Sequence, residues 1–212
     1  RAAEALGEAA LNCGIYIKKG LSPRGHDHRA MWREMFDTAT SSTGTYQSGI
    51  AVNPPEIGLQ SAGDPFSPND VAVSTAKNIG RRQFEDCTGT CIFTTRVPVQ
   101  QLADMVNSAP AWDVSGEEAQ QVGFRIANIV RGFNDRDGIT PEVEYPSPRY
   151  WSAPVDGPAQ GISVQPVWDQ MLDTYYEQMG WDRQTGRPYP DTLRALGLEE
   201  VVRDIWEVEP AR

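Results

Sequence analysis

The chain has 212 residues, of which 39% are apolar and 23% charged, with a formal net charge of −10. This is the composition of a globular protein large enough to bury a core, and it excludes wholesale disorder. The acidic balance, with no cationic run longer than Lys18-Lys19 or Arg81-Arg82, argues against a nucleic-acid partner, and no apolar run approaches the ~20 residues of a membrane span.

In chain order, residues 2–12 (AAEALGEAALN) predict a helix that continues from something longer. The sequence opens RAAEALG, without Met or a signal peptide, and reads as a processed chain or a piece of a longer protein. Pro and Gly break residues 20–28 into a loop, and 1–28 reads as a lead-in. Residues 29–38 predict a short helix with Trp32 and Phe36 one turn apart. From Ser41 to Pro68, Ser, Thr, Gly and Pro predict a long irregular segment, of the kind that often carries function. Asn69 is the expected cap of a helix with Val71, Ala72, Thr75 and Ile79 inward, running into the DCTGTC turn.

The second half is more regular. Val99–Ser108 predicts a helix with Leu102, Met105 and Val106 on one face. Ser115 and Glu118 have capping-box spacing, followed by an apolar row of Val122, Ile126, Ile129, Val130 and Phe133. A Pro-rich connection spans 141–166. A helix follows with Val167, Met171, Tyr175 and Met179 inward, stopped by Gly180. Two short helices close the chain. No strand pattern or repeat is visible, so the fold class expected is all-α, an irregular multi-helix domain over 1–212.

Cys87 and Cys91 are two of only three cysteines, and they lie four residues apart. So few cysteines argue against a disulfide scaffold and for a reducing, cytoplasmic setting. Thiolates at i, i+4 can share a metal, and Cys13, His26 and His28 are the candidates to complete such a site. The spacing matches no standard finger, and buried structural thiols are the competing reading. Asp86 before a Gly turn also suits a plain Asx turn. The sequence DRDGIT hints at a calcium loop, but Phe133 stands where an acidic residue is needed.

The segment DCTGTC resembles the D-x-x-G-L-C motif of the tungsten-containing aldehyde ferredoxin oxidoreductases. The resemblance continues in register through NSAPAWD, GFRIANIVRGFND, PRYWSAPVDGPAQG and YYEQMGWDRQTGRPYPDTLRALGLEEV, roughly residues 84–205. It implies the C-terminal helical domain of an enzyme that holds a tungsten (or molybdenum) bis-pterin and one [4Fe–4S] cluster. Cys91 would be the one cluster ligand from this chain. Asp86, Thr88, Gly89 and Thr90 would hold a pterin. The remaining N-terminal domains, a ferredoxin or electron-transfer subunit, and a small-molecule substrate are the implied partners.

The chain departs from the family where a histidine near the metal is usual: that position falls on Tyr46 or Gln47. The stretch GHDHRAMWREMFDT looks more like the branch of the benzoyl-CoA reductase tungsten subunit, so His26 or His28 would supply the proton there. The resemblance implies low-potential two-electron chemistry on an aldehyde/carboxylate or an aryl-CoA thioester. The alternatives are a non-catalytic helical zinc-binding or interaction module using Cys87, Cys91, His26 and His28, and a relic motif without cofactor.

Overall fold

The computed structural model describes residues 2–20, 27–43, 47–48, 63–92, 94–95, 97–109 and 111–207. Nine α-helices occur among them: α1 (Ala2–Leu6), α2 (Glu8–Cys13), α3 (Trp32–Thr40), α4 (Pro68–Cys87), α5 (Val99–Asn107), α6 (Gly116–Arg136), α7 (Trp168–Met179), α8 (Pro190–Ala195) and α9 (Glu199–Val202). Short 3₁₀ turns occupy the Pro-rich connection at Pro141–Val143, Pro148–Trp151 and Gln165–Val167. A π turn, Arg203–Glu207, follows α9. No strand occurs among the described residues, only the isolated bridges Ile17–Pro146 and Trp181–Pro188. The all-α expectation holds.

Local chemistry explains most boundaries. The single first helix expected is split, because Gly7 takes φ 91° between α1 and α2. The expected cap at Asn69 is displaced two residues upstream. The Ser67 hydroxyl accepts from the Asp70 N–H, and Pro68 fills the first helical position, where a missing N–H removes no helical bond. The capping box forms as expected, with Ser115 and Glu118 each accepting from the other's backbone N–H. Gly180, left-handed at φ 65°, ends α7.

The long helices α4 and α6 cross at two glycines. A Cβ on Gly123 would lie 1.8 Å from the Gly80 carbonyl oxygen. This contact shifts the interior face of α6 away from part of the expected apolar row, of which Val122, Ile126 and Val130 are half-buried. The buried residues of α6 are Gly116, Ala119, Gly123, Ala127, Asn128, Arg131 and Gly132, whereas Ile129 and Phe133 face outward. Small side chains win the interior here because the helix backbones meet.

The main core joins α3, α4 and α7 through Trp32, Phe36, Ile79, Trp168, Met171 and Tyr175, with Phe36 edge-on to Trp168 and to Tyr175. A second cluster seats α5 on α4 and α6 through Phe84, Leu102, Ala103 and Ala119. Arg131, 1% exposed, crosses the interior. It donates to Glu144, the Tyr176 hydroxyl and the Gly186 carbonyl, and stacks over Trp181 at 4.7 Å. Glu144 compensates its charge there, as a buried guanidinium requires.

Candidate functional site

The end of α4 carries the turn that the sequence singles out. The helix stops at Cys87 because the Thr88 hydroxyl folds back to the Glu85 carbonyl at 2.7 Å, and Gly89 takes φ 71°. Thr90 completes a hydroxyl chain, 2.9 Å from Thr88 and 3.2 Å from Thr95. The Thr95 backbone N–H also donates to the Cys91 carbonyl at 3.0 Å. The backbone of the turn is thereby fixed before any ligand arrives.

A clamp that sequence reading does not single out holds the turn against α4. Glu85 is fully buried and accepts from Arg81, Arg82 and the Thr95 hydroxyl. The Arg81 guanidinium also donates to the Thr95 carbonyl at 2.8 Å and the Val97 carbonyl at 2.7 Å, tying Thr95 and Val97 to α4. The only sequence signal for this was the i, i+4 pair Arg81–Glu85 directly ahead of the motif.

The outer face of the turn stays open. A Cβ on Gly89 would meet nothing within 4 Å, so a flat group can lie against the backbone there. The Asp86 carboxylate is about half exposed, at 47%, and pairs with Arg82, whose Nε–H is buried without an acceptor. Cys87 and Cys91 are both exposed free thiols. Partial burial, reinforced by the Asp86 charge, pushes the Cys87 thiol above its ordinary pKa and keeps it protonated. Beside the turn lies an apolar hollow of about 320 Å³, lined by Thr88 and Thr90 on one side and Leu102, Met105, Val106 and Trp112 on the other.

The histidines do not join this turn. His26 lies outside the described residues, as does Tyr46. His28 is fully buried, with Nε2 3.1 Å from Glu34 and its ring stacked on Tyr150 at 5.9 Å. Among the described residues no three of His, Cys, Asp and Glu gather as a metal-holding group. Cys91 thus presents an exposed thiol in the same turn as the half-exposed Asp86 carboxylate and the Thr88–Thr90 backbone.

Gln47 is fully buried in a second polar region, under α3 and α4. Its N–H and that of Ser48 both donate to Asp37, and its carbonyl accepts from the Gln83 side chain at 3.1 Å. Its side-chain oxygen accepts the Ser42 N–H at 3.0 Å.

Comparison with known proteins gives this geometry a context. A family model described as "Aldehyde ferredoxin oxidoreductase, domains 2 & 3" matches residues 1–198. A tungsten-containing aldehyde ferredoxin oxidoreductase of Pyrococcus furiosus is 29% identical over 211 residues, covering 94% of this chain and 33% of the relative. The Pyrococcus horikoshii enzyme of the same name is 38% identical over 118 residues, 54% of this chain and 19% of the relative. Among solved structures, the active-site complex BamBC of benzoyl coenzyme A reductase with 1,5-dienoyl-CoA shares the fold at TM-score 0.66. It is 16% identical, and the match covers 99% of this chain and 37% of that one. The chain spans a third or less of the curated relatives it matches.

Proposed function

The chain belongs to the aldehyde ferredoxin oxidoreductase family, through the part described as domains 2 and 3, and from that premise we propose that it is the C-terminal helical domain of a tungsten bis-pterin, iron–sulfur oxidoreductase. The observation that carries the proposal is the turn itself. An exposed Cys91 thiol stands two residues from a left-handed glycine whose outer face is open. The Arg81–Glu85–Thr95 clamp sets that turn rigidly.

In this reading Cys91 furnishes one thiolate to a [4Fe–4S] cluster whose other ligands come from the rest of the parent protein. Asp86 accepts hydrogen bonds from a pterin, and the Thr88–Thr90 backbone lies along it. When bound, the tungsten and cluster supply low-potential two-electron transfer; this chain supplies position, exclusion of water and hydrogen bonds. Gly89, whose outer face is open, would let a flat ring lie close to the backbone of the turn. The Glu85 clamp would hold Asp86 and Cys91 in a fixed relation to each other, since both belong to the turn it ties down.

The curated relatives are named for aldehyde chemistry, and the solved neighbour is titled for an aryl-CoA ring reductase. The substrate class proposed is thus an aldehyde/carboxylate pair or an aryl-CoA thioester, with a ferredoxin or an electron-transfer subunit as redox partner. Gln47, His28 and His26 are the chain's proposed polar contributors, with Gln47 as a hydrogen-bond donor rather than a proton shuttle, because a carboxamide does not titrate near neutral pH. His28 would act through Glu34, with which it is buried.

Metal analysis of the full-length parent, purified without oxygen, tests the reading. The expected result is tungsten with about four irons per chain. Cys91→Ser should lose the cluster's electron paramagnetic signal while most of the tungsten remains. Zinc alone, or a cluster signal unchanged by Cys91→Ser, would overturn it.

A further inference from the structure

Asp86 is poorly placed for the helix that carries it. It lies in the last turn of α4, which holds no basic residue. The helix dipole presents its negative end there, which disfavours a carboxylate. Its partner Arg82 precedes it by four residues, with Nη1 2.5 Å from Oδ1. That order, cation before anion, is the weaker one for an i, i+4 pair. Helix stability therefore does not account for the pair.

Arg82 is also more than the buried clamp requires. Glu85 already has one cation in Arg81, at 3.2 Å, and a hydroxyl in Thr95. Arg82 adds a second guanidinium, 3.3 Å from Glu85. The same nitrogen, Nη1, serves both Glu85 and Asp86, and in this position the Arg82 Nε–H is left enclosed without an acceptor. An enclosed, unmatched donor is unfavourable, so satisfying Arg82 itself does not explain its placement. What the pair does achieve is geometric. Oδ1 of Asp86 is held to Arg82, while the side chain stays about half exposed. The Asp86 carbonyl accepts the Gly89 N–H at 3.2 Å, which joins the carboxylate to the glycine with the open face in one turn.

We propose that Arg82 is the positioning residue of Asp86: it anchors one carboxylate oxygen and leaves the other to accept from the N–H edge of a planar heterocycle. This rests on the oxidoreductase reading above and deepens it, the heterocycle being the pterin of that reading. Arg82 acts through Asp86 alone. It also ties the orientation of that carboxylate to the buried Glu85, because one cation serves both. An acceptor fixed in advance spares the ordering of a side chain when the ligand binds.

The test uses the full-length parent, purified without oxygen, as wild type, Arg82→Met, Asp86→Ala and the double variant. Each is read for the rate at which pterin is lost in dialysis and for thermal unfolding. Arg82→Met should lose pterin about tenfold faster than wild type. In the Asp86→Ala background it should add nothing to that rate, because the group it positions is gone, while its effect on melting through Glu85 persists. An Arg82 that merely supports the clamp adds the same increment to pterin loss with or without the carboxylate. That result, or wild-type pterin retention in Arg82→Met, overturns the inference. Where a variant fails to fold or holds no pterin as purified, Arg82→Lys decides it, since lysine keeps a cation opposite Asp86 without the planar fork. Pterin loss near the wild-type rate at lowered melting supports the role, and loss that rises only in step with the fall in melting overturns it. A wild-type parent that holds no pterin sinks the oxidoreductase reading and this role with it.

Discussion

Glu85 bears more than any other single side chain at the turn. Buried among two guanidiniums and a threonine hydroxyl, it is the anion that allows Arg81 to reach the Thr95 and Val97 carbonyls. Glu85→Ala strands those cations, and breaking a buried ion pair by removing one partner costs about 3–5 kcal/mol. Denaturant unfolding should show that loss, and Glu85→Gln should fall between the two. A Glu85→Ala variant as stable as wild type would mean that the clamp does not hold the turn. Lys19 makes a prediction of a different kind. Burial drags its ammonium from the usual 10.5 down to about 8, despite the pull of Glu144. Between these values the unfolded chain binds the proton that the folded chain has lost, so stability rises with pH across that window. The full difference is about 3 kcal/mol, from 1.36 kcal/mol per unit. Tyr150, pushed up to about 12, and the buried Tyr175 and Tyr176, pushed higher, act in the opposite sense above their ordinary value of 10.0. The expected signature is a rise in unfolding free energy from pH 8 to 10 that is flattened in Lys19→Met and reverses at higher pH. Equal slopes in both proteins would remove Lys19 as the cause.

At the scale of elements, the crossing of α4 and α6 is the joint on which the site depends, since α4 delivers the turn. Gly123→Ala forces a Cβ to 1.8 Å from the Gly80 carbonyl oxygen, which only helix separation can relieve. Overpacking of this kind costs about 1–3 kcal/mol or more, so Gly123→Ala should melt well below Ser115→Ala, whose lost cap is worth about 1 kcal/mol. Thermal melts of the two side by side decide it, and equal midpoints would show that the helices part without penalty. The same joint shows why the sequence was only partly legible. The capping box and the Gly180 stop are local, carried by residues within one turn, and were read correctly. The interior face of α6 was not, because periodicity counts large apolar residues, and here the interior is glycine and alanine against a partner helix. Asn69 was a plausible cap in isolation, but Pro68 beside Ser67 was the better signal. The turn at 86–91 was visible as a motif. Its clamp was not, because Thr95 meets Glu85 across ten residues of chain.

Among the described residues three apolar clusters are buried, yet large apolar groups stay exposed around two surface hollows. Trp112 is 60% exposed and Met105 50%, on the rim of the hollow beside the candidate turn. Ala111, before Trp112, takes φ 75°, a conformation that costs a non-glycine residue about 1–2 kcal/mol and persists only where its surroundings impose it. On α6, Ile129 and Phe133 line a second hollow of about 140 Å³ with Val201 and Ile205. A chain that spans a third of its relative should leave such faces uncovered when studied alone. The 212-residue chain is therefore expected to self-associate as its concentration rises and to bind a hydrophobic dye. Trp112→Arg should weaken both if the rim beside the turn is the dominant face, whereas Phe133→Glu should do so if α6 is. Light scattering across a concentration series, with each variant's melting point measured alongside, separates surface effects from unfolding. A chain that stays monomeric and dye-free throughout would show that the polar rims around both hollows suffice to keep them soluble, and that neither face requires a covering partner.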